Sequence, residues 1–482
     1  MSEEPAEAAK EPRASRALAL LLLLLVACEL LSLYTGIAAT DLTSKALVVL
    51  LPLFAWRILG LREAYLLALC VGLLGLTWAL GKPVAGIAAE GLSRSAYLAS
   101  FILLMALLRE GALQSASVLE LGTFLTRQPA KRRFLTLFSG GHFFAVLINL
   151  GALSLLAPII QRGVRAAIPA GQPLDDISEV RERRQFSAIL RGFSWFLVWA
   201  PTAVTQAVMP TLMGGIDATR LMLTGLVLAL LMLAVSWAED TLRWRGFRKR
   251  LQAEGRLPLP SATRFPIKAA RGLGLVCLLL FGCTIAFTLL GKVTIVTGVM
   301  LAAPIVVALW IFAQQSDTAS RLAATGERLR GIAFESIPGY SREALFIACA
   351  GFIGTLAANL VLEVDVAGLF SLEEQPGWLV LWVLSFLVWL LGQVGLSPIT
   401  MAVFLGSVVA DLPTMPVDMT LSALAIAAGT AVCTGGAPFS SGAVMLSRAS
   451  GYSAVTLTWR WNGVYTAVAL AVLAGFYAVL TG

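Results

Sequence analysis

Four polar, glycine-containing segments interrupt apolar runs of membrane-spanning length, and they carry the residues best suited to bind a ligand. The segments are FSGGHFFAVLINLGAL (138–153), WAPTAVTQ (199–206), GQVGLSPIT (392–400) and TGGAPFSSG (434–442). Lipid offers no partners for freed backbone N–H and C=O groups, so a broken helix persists at membrane depth only beside protein or an aqueous cavity. Such breaks mark the binding sites of many membrane transporters.

The residue types in these segments suit a small anion together with a coupling cation. Half-helix ends present N–H groups to anions and carbonyl groups to cations, and glycines allow close backbone approach. The residues predicted to bind substrate are His142, Asn149, Gly151, Thr202, Gln206, Ser397, Thr400, Ser440 and Ser441. The residues predicted to bind the cation are Asn149, Thr205, Ser397, Thr434, Gly435 and Gly436. Each serine, threonine or glycine alone could instead serve close helix packing.

His142 is the only histidine in the chain. It could ligate substrate or relay protons, because the ordinary pKa of about 6.5 lies near working pH. The alternative is a structural histidine bonded to a backbone carbonyl, and the sequence leaves both open. Glu29 lies in the first apolar run, outside the interrupted segments, where a structural or dimer-contact role is expected.

An enzyme is disfavoured, since the apolar runs hold no paired carboxylates, no histidine cluster and no phosphate-binding glycine loop. No cofactor is expected, and no metal beyond a possible Na⁺. A channel remains an alternative, although two occluding hairpins would favour alternating access. A membrane-embedded transferase acting on a lipid-linked substrate is the alternative from another class.

Composition indicates the elements that must position these segments. The chain is 58% hydrophobic and only 13% charged, with a mean hydropathy of +0.84, values typical of polytopic helical membrane proteins. The formal net charge of +8 comes from basic residues clustered between apolar runs, which indicates cytoplasmic loops rather than nucleic-acid binding. The expected partners are the lipid bilayer and a small-molecule substrate.

Charge and periodicity predict eleven spans and two re-entrant hairpins, with the N-terminus cytoplasmic and the C-terminus outside. The leading spans cover 17–33, 45–59 and 63–80, with the polar segment 36–45 as a connector. A fourth span, 96–108, precedes a surface helix around Val118, Leu119, Leu121 and Leu125. Basic residues flank 134–160 on both sides, which favours a hairpin that enters and leaves on one face. The remaining predicted spans are a broken span at 192–213, then 221–237, 273–290, 293–312 and 341–360, and a second broken span and a final span near the C-terminus.

The second half repeats the first in opposite orientation. SRSAYLASFILLMALL (93–108) is echoed by the segment that starts at Ser341, and each copy continues into a connector, a hairpin and a span broken at Ala-Pro. The second connector, 363–377, is acidic, so the hairpin at 378–410 should enter from outside. Inverted repeats of this kind build many secondary transporters. The predicted domains are 1–92, N-terminal helices; 93–240, repeat one; 241–340, basic loops and two linking helices; and 341–482, repeat two.

This layout resembles the ion transporter superfamily, most closely the divalent anion:sodium symporter group. The resemblance covers most of the chain and rests on the inverted repeats, on Asn149-Leu150-Gly151 before Pro158, on Ser397-Pro398-Ile399 before Gly406, and on TGGAPFSSG. It implies an elevator-type homodimer in which hairpins and broken spans move against a scaffold, held by surface arms around Val118 and Ala367. Related branches include arsenite permeases and exporters of the aminobenzoyl-glutamate transporter type.

The expected function is ion-coupled secondary active transport, by symport and alternating access, of a small organic anion such as a di- or tricarboxylate across the inner (plasma) membrane. Na⁺ is favoured over H⁺, because only His142 among the predicted site residues titrates near neutral pH. No arginine lies in the four interrupted segments, so an anion would depend on helix N-termini and His142. A neutral or zwitterionic substrate therefore stays open.

Overall fold

The predicted all-α architecture is confirmed in the described part of the chain. The computed structural model describes residues 16–166, 168, 172–256, 264–315, 320–361, 372–412 and 414–482. Every regular element within these ranges is helical. Nine helical stretches of the described residues are long and apolar enough to cross a membrane, and four shorter described helices are also apolar.

The helices fall into four groups in chain order. The leading helices are α1 (Arg16–Thr35), α2 (Ala38–Ala55) and α3 (Leu61–Ala79). The first repeat contains α4 (Val84–Leu113), α5 (Ala116–Thr126), α6 (Ala130–Ile148), α7 (Gly151–Arg165), α8 (Asp176–Trp195), α9 (Val204–Leu212) and α10 (Ala218–Arg243). The linking helices are α11 (Arg245–Ala253), α12 (Ile267–Gly291), α13 (Ile295–Gln314) and α14 (Arg321–Gly331). The second repeat contains α15 (Ser341–Val361), α16 (Gly377–Gln393), α17 (Pro398–Asp411), α18 (Met419–Gly436), α19 (Ser441–Ser450) and α20 (Trp461–Thr481).

Two predicted boundaries are wrong because charged residues lie inside helices. The polar connector 36–45 is already helical from Ala38. The first broken span begins at Asp176 rather than at 192, with the Asp175 carboxylate capping its first turn by accepting from the Ser178 N–H at 3.0 Å. Arg191, only 2% exposed, is neutralised by Glu239 at 2.8 Å. A buried charge with a partner can remain inside a helix where the sequence suggested a loop.

The first helices of the two repeats run in opposite directions, as the inverted-repeat prediction requires. The Ser95 hydroxyl on α4 donates to the Ala348 carbonyl on α15 at 2.8 Å. Gly91, earlier on α4, lies against the ring of Phe352, later on α15. Positions that advance along one helix therefore retreat along the other, which makes the pair antiparallel.

Each predicted hairpin is a pair of helices joined by a short turn. Asn149 and Leu150 join α6 to α7, and residues 394–397 join α16 to α17. The second arm of each hairpin packs on the broken helix of the other repeat: Gln161 donates to the Ser450 carbonyl at 2.6 Å, and Gly406 packs against Leu212. The first predicted surface arm is α5. The second, around Ala367, lies outside the described residues.

The first arm of each hairpin crosses the broken helix of its own repeat at a glycine. A Cβ atom on Gly192 would lie 2.2 Å from the Phe138 carbonyl oxygen, and one on Gly429 would lie 2.6 Å from the Ser385 carbonyl oxygen. Gly192 precedes Ala200 by the same interval as Gly429 precedes Ala437. The two crossings therefore occupy equivalent positions in the repeats.

We expect Gly192→Ala and Gly429→Ala each to destabilise the protein by about 1–3 kcal/mol, because the added methyl group would force backbone apart at the crossing. Thermal unfolding of purified protein measures the effect. Gly274→Ala is the matched control, since a Cβ on Gly274 of α12 meets nothing within 4 Å. Equal stability of all three variants would contradict the proposed close crossings.

Candidate functional site

Two side chains in the first break satisfy the carbonyl groups that the interrupted helix frees. Helix α8 is followed by a 3₁₀ turn at Phe196–Val198, and α9 begins at Val204. The Thr205 hydroxyl donates to the Leu197 carbonyl, and the Gln206 amide donates to the Val198 carbonyl at 2.8 Å. Because lipid could not satisfy these carbonyls, Thr205 and Gln206 make the break tolerable at membrane depth.

The second break is closed by Ser440 in a similar way. Its hydroxyl donates to the Thr434 carbonyl at 2.8 Å and accepts from the Ala443 N–H at 3.2 Å, so it also caps α19. The Thr434 hydroxyl donates back to the Thr430 carbonyl at 2.7 Å. Ser441, the first residue of α19, is exposed.

His142 joins the first hairpin to the first break. Its Nδ1 lies 3.0 Å from the Gly192 carbonyl oxygen, and its Nε2 lies 2.8 Å from the Trp199 indole nitrogen. An indole N–H can only donate, so Nε2 accepts and Nδ1 carries the proton. Both ring nitrogens of a neutral imidazole are thereby bonded within the protein, which favours the structural alternative for His142. Thr202 adds a second link, since its hydroxyl donates to the Val146 carbonyl at 2.7 Å.

In the second repeat, Trp389 of the hairpin takes the place that His142 has in the first. Trp389 follows Ser385 at the offset by which His142 follows Phe138, and Gly436 takes the place of Trp199. The Trp389 indole nitrogen lies 3.2 Å from where a Cβ atom on Gly436 would be. Within the described part of the chain this buried N–H has no hydrogen-bond partner. The sequence prediction missed Trp389, although aligning the repeats on their crossing glycines would have found it.

The tertiary fold brings the four interrupted segments into one cluster. A Cβ on Gly435 would lie 3.0 Å from the Ser194 hydroxyl, so the second break meets α8 just before the first break. Helix α18 also packs against the turn that begins the first break. At the second hairpin, Gly392 packs on Cys433, and Gly395 approaches the ring of Phe439.

The predicted substrate residues divide by whether their side chains are already bonded. Thr202, Gln206, Ser440 and His142 satisfy protein groups, as described above. Within the described ranges, by contrast, no side-chain hydrogen bond is made by Asn149, Ser397, Thr400 and Ser441. Asn149 also holds the hairpin turn at φ 47° and ψ −130°, a positive-φ turn conformation in which glycine, asparagine and aspartate dominate. The second group therefore keeps all of its side-chain donors and acceptors for a ligand, whereas the first group keeps only some of them.

Arg109 is a candidate binding residue that the sequence prediction missed. It belongs to α4, yet a Cβ on Gly151 would lie 3.0–3.2 Å from its side-chain atoms at the tip of the first hairpin. Its guanidinium lies over the ring of Tyr340 at 5.4 Å, and its buried Nε has no hydrogen-bond partner among the described residues. Sequence spacing cannot place Arg109 at this tip, because only the packing of α4 on the hairpin does so.

A cavity of about 420 Å³ lies between the leading helices, α4, α13 and α9. Gln206 and Tyr97 line it, and so does Glu29, which was expected to serve a structural or dimer contact. Arg94 lines the same cavity and reaches across to the second hairpin, where it donates to Ser407 at 3.0 Å. Glu29 therefore faces the same space as a predicted substrate residue. No group of three or more His, Cys, Asp or Glu side chains in the described ranges is placed to hold a metal ion.

We expect His142 to be neutral and protonated at Nδ1 at neutral pH, because the Trp199 N–H occupies the Nε2 lone pair. The lone histidine allows a direct measurement by ¹⁵N NMR of histidine-labelled protein. Trp199→Phe is the control, since loss of the indole N–H should move the Nε2 signal and leave the fold in place. An Nε2-protonated or doubly protonated ring in the unmodified protein would contradict this arrangement.

Comparison with known proteins is consistent with this geometry. No protein-family model matches the chain, and no curated protein matches it. Among solved structures, the YdaH transporter of Alcanivorax borkumensis, which has an unusual topology, is similar with a TM-score of 0.54 and 16% sequence identity, over 86% of this chain and 98% of that chain. The likeness shows a shared fold, and it does not single out the divalent anion:sodium symporter group. The chain is thus a multi-pass membrane protein that is all-helical in its described residues and shares its fold with that transporter.

Proposed function

We propose that the protein is an ion-coupled secondary transporter of a small organic anion, such as a di- or tricarboxylate, and that it works by alternating access. The observation that carries the proposal is the position of Arg109 against Gly151. It supplies the positive charge that the four interrupted segments lack. The likeness to a transporter fold supports this proposal over a membrane-embedded transferase.

Three groups meet where the anion would bind. The guanidinium of Arg109 offers an unpaired Nε–H, and its planar fork matches a carboxylate. Gly151 begins α7, whose first N–H groups favour negative charge. The Asn149 side chain in the adjoining turn has no partner in the described ranges and can donate its amide N–H groups. Gly151 suits this position because any larger residue would push Arg109 away.

Na⁺ is the favoured coupling ion. The carbonyls of Leu197, Val198 and Thr434 each accept one side-chain hydrogen bond and keep a second lone pair. Such oxygens suit a hard cation, whereas His142 has both nitrogens committed. H⁺ is the alternative coupling ion, and the Glu29 carboxyl in the cavity wall would then carry the proton.

The finer features implied by the resemblance belong to the same proposal. In an elevator mechanism the two hairpins and the broken helices would move together, and the hydrogen bonds among them support one unit. They would meet the antiparallel pair α4 and α15 at contacts such as Arg109 with Gly151 and Val403 with Gly354. The homodimer, the four domain boundaries, the inner membrane location and the positions of both termini stay predictions. The alternative transporter types are exporters of the aminobenzoyl-glutamate transporter type and arsenite permeases.

We expect Arg109→Gln to raise the half-saturation concentration for a carboxylate by about 10- to 100-fold, since a hydrogen bond to a charged group contributes about 1.5–3 kcal/mol. Counterflow of labelled succinate and citrate in proteoliposomes measures this. Arg57→Gln is the matched control, because Arg57 is exposed in the 3₁₀ turn that follows α2, where it lies over the ring of Trp56. Unchanged half-saturation in Arg109→Gln would remove Arg109 from the site, and no exchange with any carboxylate would overturn the anion proposal.

We expect a Na⁺ gradient to drive uptake equally well in the unmodified protein and in Glu29→Gln. The physical reason is that carbonyl and hydroxyl oxygens, not a titrating carboxyl, would hold the coupling ion. Uptake is measured in proteoliposomes under separate Na⁺ and pH gradients. Uptake driven by the pH gradient alone, and lost in Glu29→Gln, would instead assign coupling to H⁺ and Glu29.

A further inference from the structure

A basic cavity of about 590 Å³ lies away from the interrupted segments, between α6, α8, α10 and α11. It opens at the end of the bundle where α6 and α8 begin and α10 ends. Its basic lining residues are Lys131, Arg133, Arg181, Arg184, Arg245 and Arg248. Asp240 is the only carboxylate among the described residues of the lining.

The positive charge of this basic cavity is largely uncompensated. Asp240 is used by Arg184, which binds it with both Nε at 3.0 Å and a terminal nitrogen at 2.6 Å. None of the other five basic side chains forms an ion pair with a described residue. Arg133 turns its Nε toward the Gln128 carbonyl at 2.8 Å, which leaves its charge without a counterion. The lining therefore favours an anion.

Gln185 provides a second, independent observation. It is only 1% exposed, and in the described part of the chain neither its amide nitrogen nor its amide oxygen has a hydrogen-bond partner. It lines the cavity beside Arg181, whose buried Nε also lacks a hydrogen-bond partner among the described residues. Leaving such a group unsatisfied costs about 1–3 kcal/mol, which a ligand that bonds to it would recover.

Part of the wall is apolar and aromatic. Trp237, Trp244, Phe247 and Leu251 line it, and the rings of Trp244 and Phe247 meet edge to face at 6.0 Å. Helix α11 turns Leu251 into the protein and leaves Arg248, Lys249 and Arg250 exposed. A short helix with one apolar and one basic face is typical of the membrane surface.

We propose that this cavity binds the phosphate headgroup of an anionic phospholipid, with the half-buried Arg181 and the buried Gln185 as ligands and Arg245 and Arg248 at the rim. Arginine suits phosphate because its fork can donate two hydrogen bonds to one group. The exposed Trp237 at the edge of the cavity offers contact to acyl chains. Basic pockets between helices at a cytoplasmic face are known to take phospholipid headgroups of this charge. The inference is independent of the transport proposal, since none of these residues belongs to the interrupted segments.

The test is titration of the purified full-length protein in detergent with phosphatidylglycerol, phosphatidylcholine or inorganic phosphate, followed by native mass spectrometry and thermal unfolding. We expect phosphatidylglycerol to bind and to raise the unfolding temperature, with an effect that falls at high salt, while phosphatidylcholine does neither. Arg181→Gln and Arg248→Gln should each weaken phosphatidylglycerol binding by about fivefold or more. Gln185→Leu should weaken it while keeping the fold, because it removes an unsatisfied buried amide.

Lys249→Gln is the matched control, since Lys249 is the exposed neighbour of Arg248 and does not line the cavity. Its phosphatidylglycerol affinity should equal that of the unmodified protein. An equal loss in Lys249→Gln would mean that general surface charge, not the cavity, attracts the lipid. Equal binding of phosphatidylcholine, or displacement of phosphatidylglycerol by millimolar inorganic phosphate, would overturn the phospholipid proposal.

Discussion

The structure depends on how the freed carbonyl groups of two broken helices are satisfied. At membrane depth no water is present to donate a hydrogen bond to an unpaired carbonyl group, and leaving that group unbonded would cost several kcal/mol. Thr205, Gln206 and Ser440 each reach back along the chain to one of these carbonyls. The breaks can therefore exist without unfolding the helices around them, and the remaining lone pairs stay available to a cation.

The same constraint gives each hairpin its position. A hairpin must pack closely enough on its broken helix to cover the exposed turn, and Gly192 and Gly429 allow that approach at equivalent points of the two repeats. The repeats then diverge in chemistry at one place. Trp199 bonds to His142 in the first repeat, whereas in the second Trp389 fills the space beside Gly436 and its N–H bonds to none of the described residues. The backbones of the two repeats are therefore arranged alike at the crossings, whereas the hydrogen-bond donors beside them differ.

Positive charge gathers at two separate places, and a different ligand is proposed for each. Arg109 brings a single guanidinium from α4 to the tip of the first hairpin, where a small anion could meet both parts of the molecule. The basic cavity near α11 gathers six cationic side chains around the buried Gln185, at the end of the bundle. The proposed anion at Arg109 would be bound and released during transport. The proposed phospholipid in the basic cavity would stay in the membrane.

Hydropathy and charge patterning determined the helical membrane class, the two hairpins, the Ala-Pro breaks and the inversion of the repeats, because those features depend on local composition and its order along the chain. The start of α8 was misplaced because the arginines near 181–191 look like a loop until Asp240 and Glu239 are seen to pair with them. Only the tertiary structure decided which hydroxyl and amide groups are already bonded, and only it placed Arg109 at Gly151, Trp389 at Gly436 and Glu29 in a cavity wall. Contacts between residues far apart in sequence follow from helix packing, which local spacing does not encode.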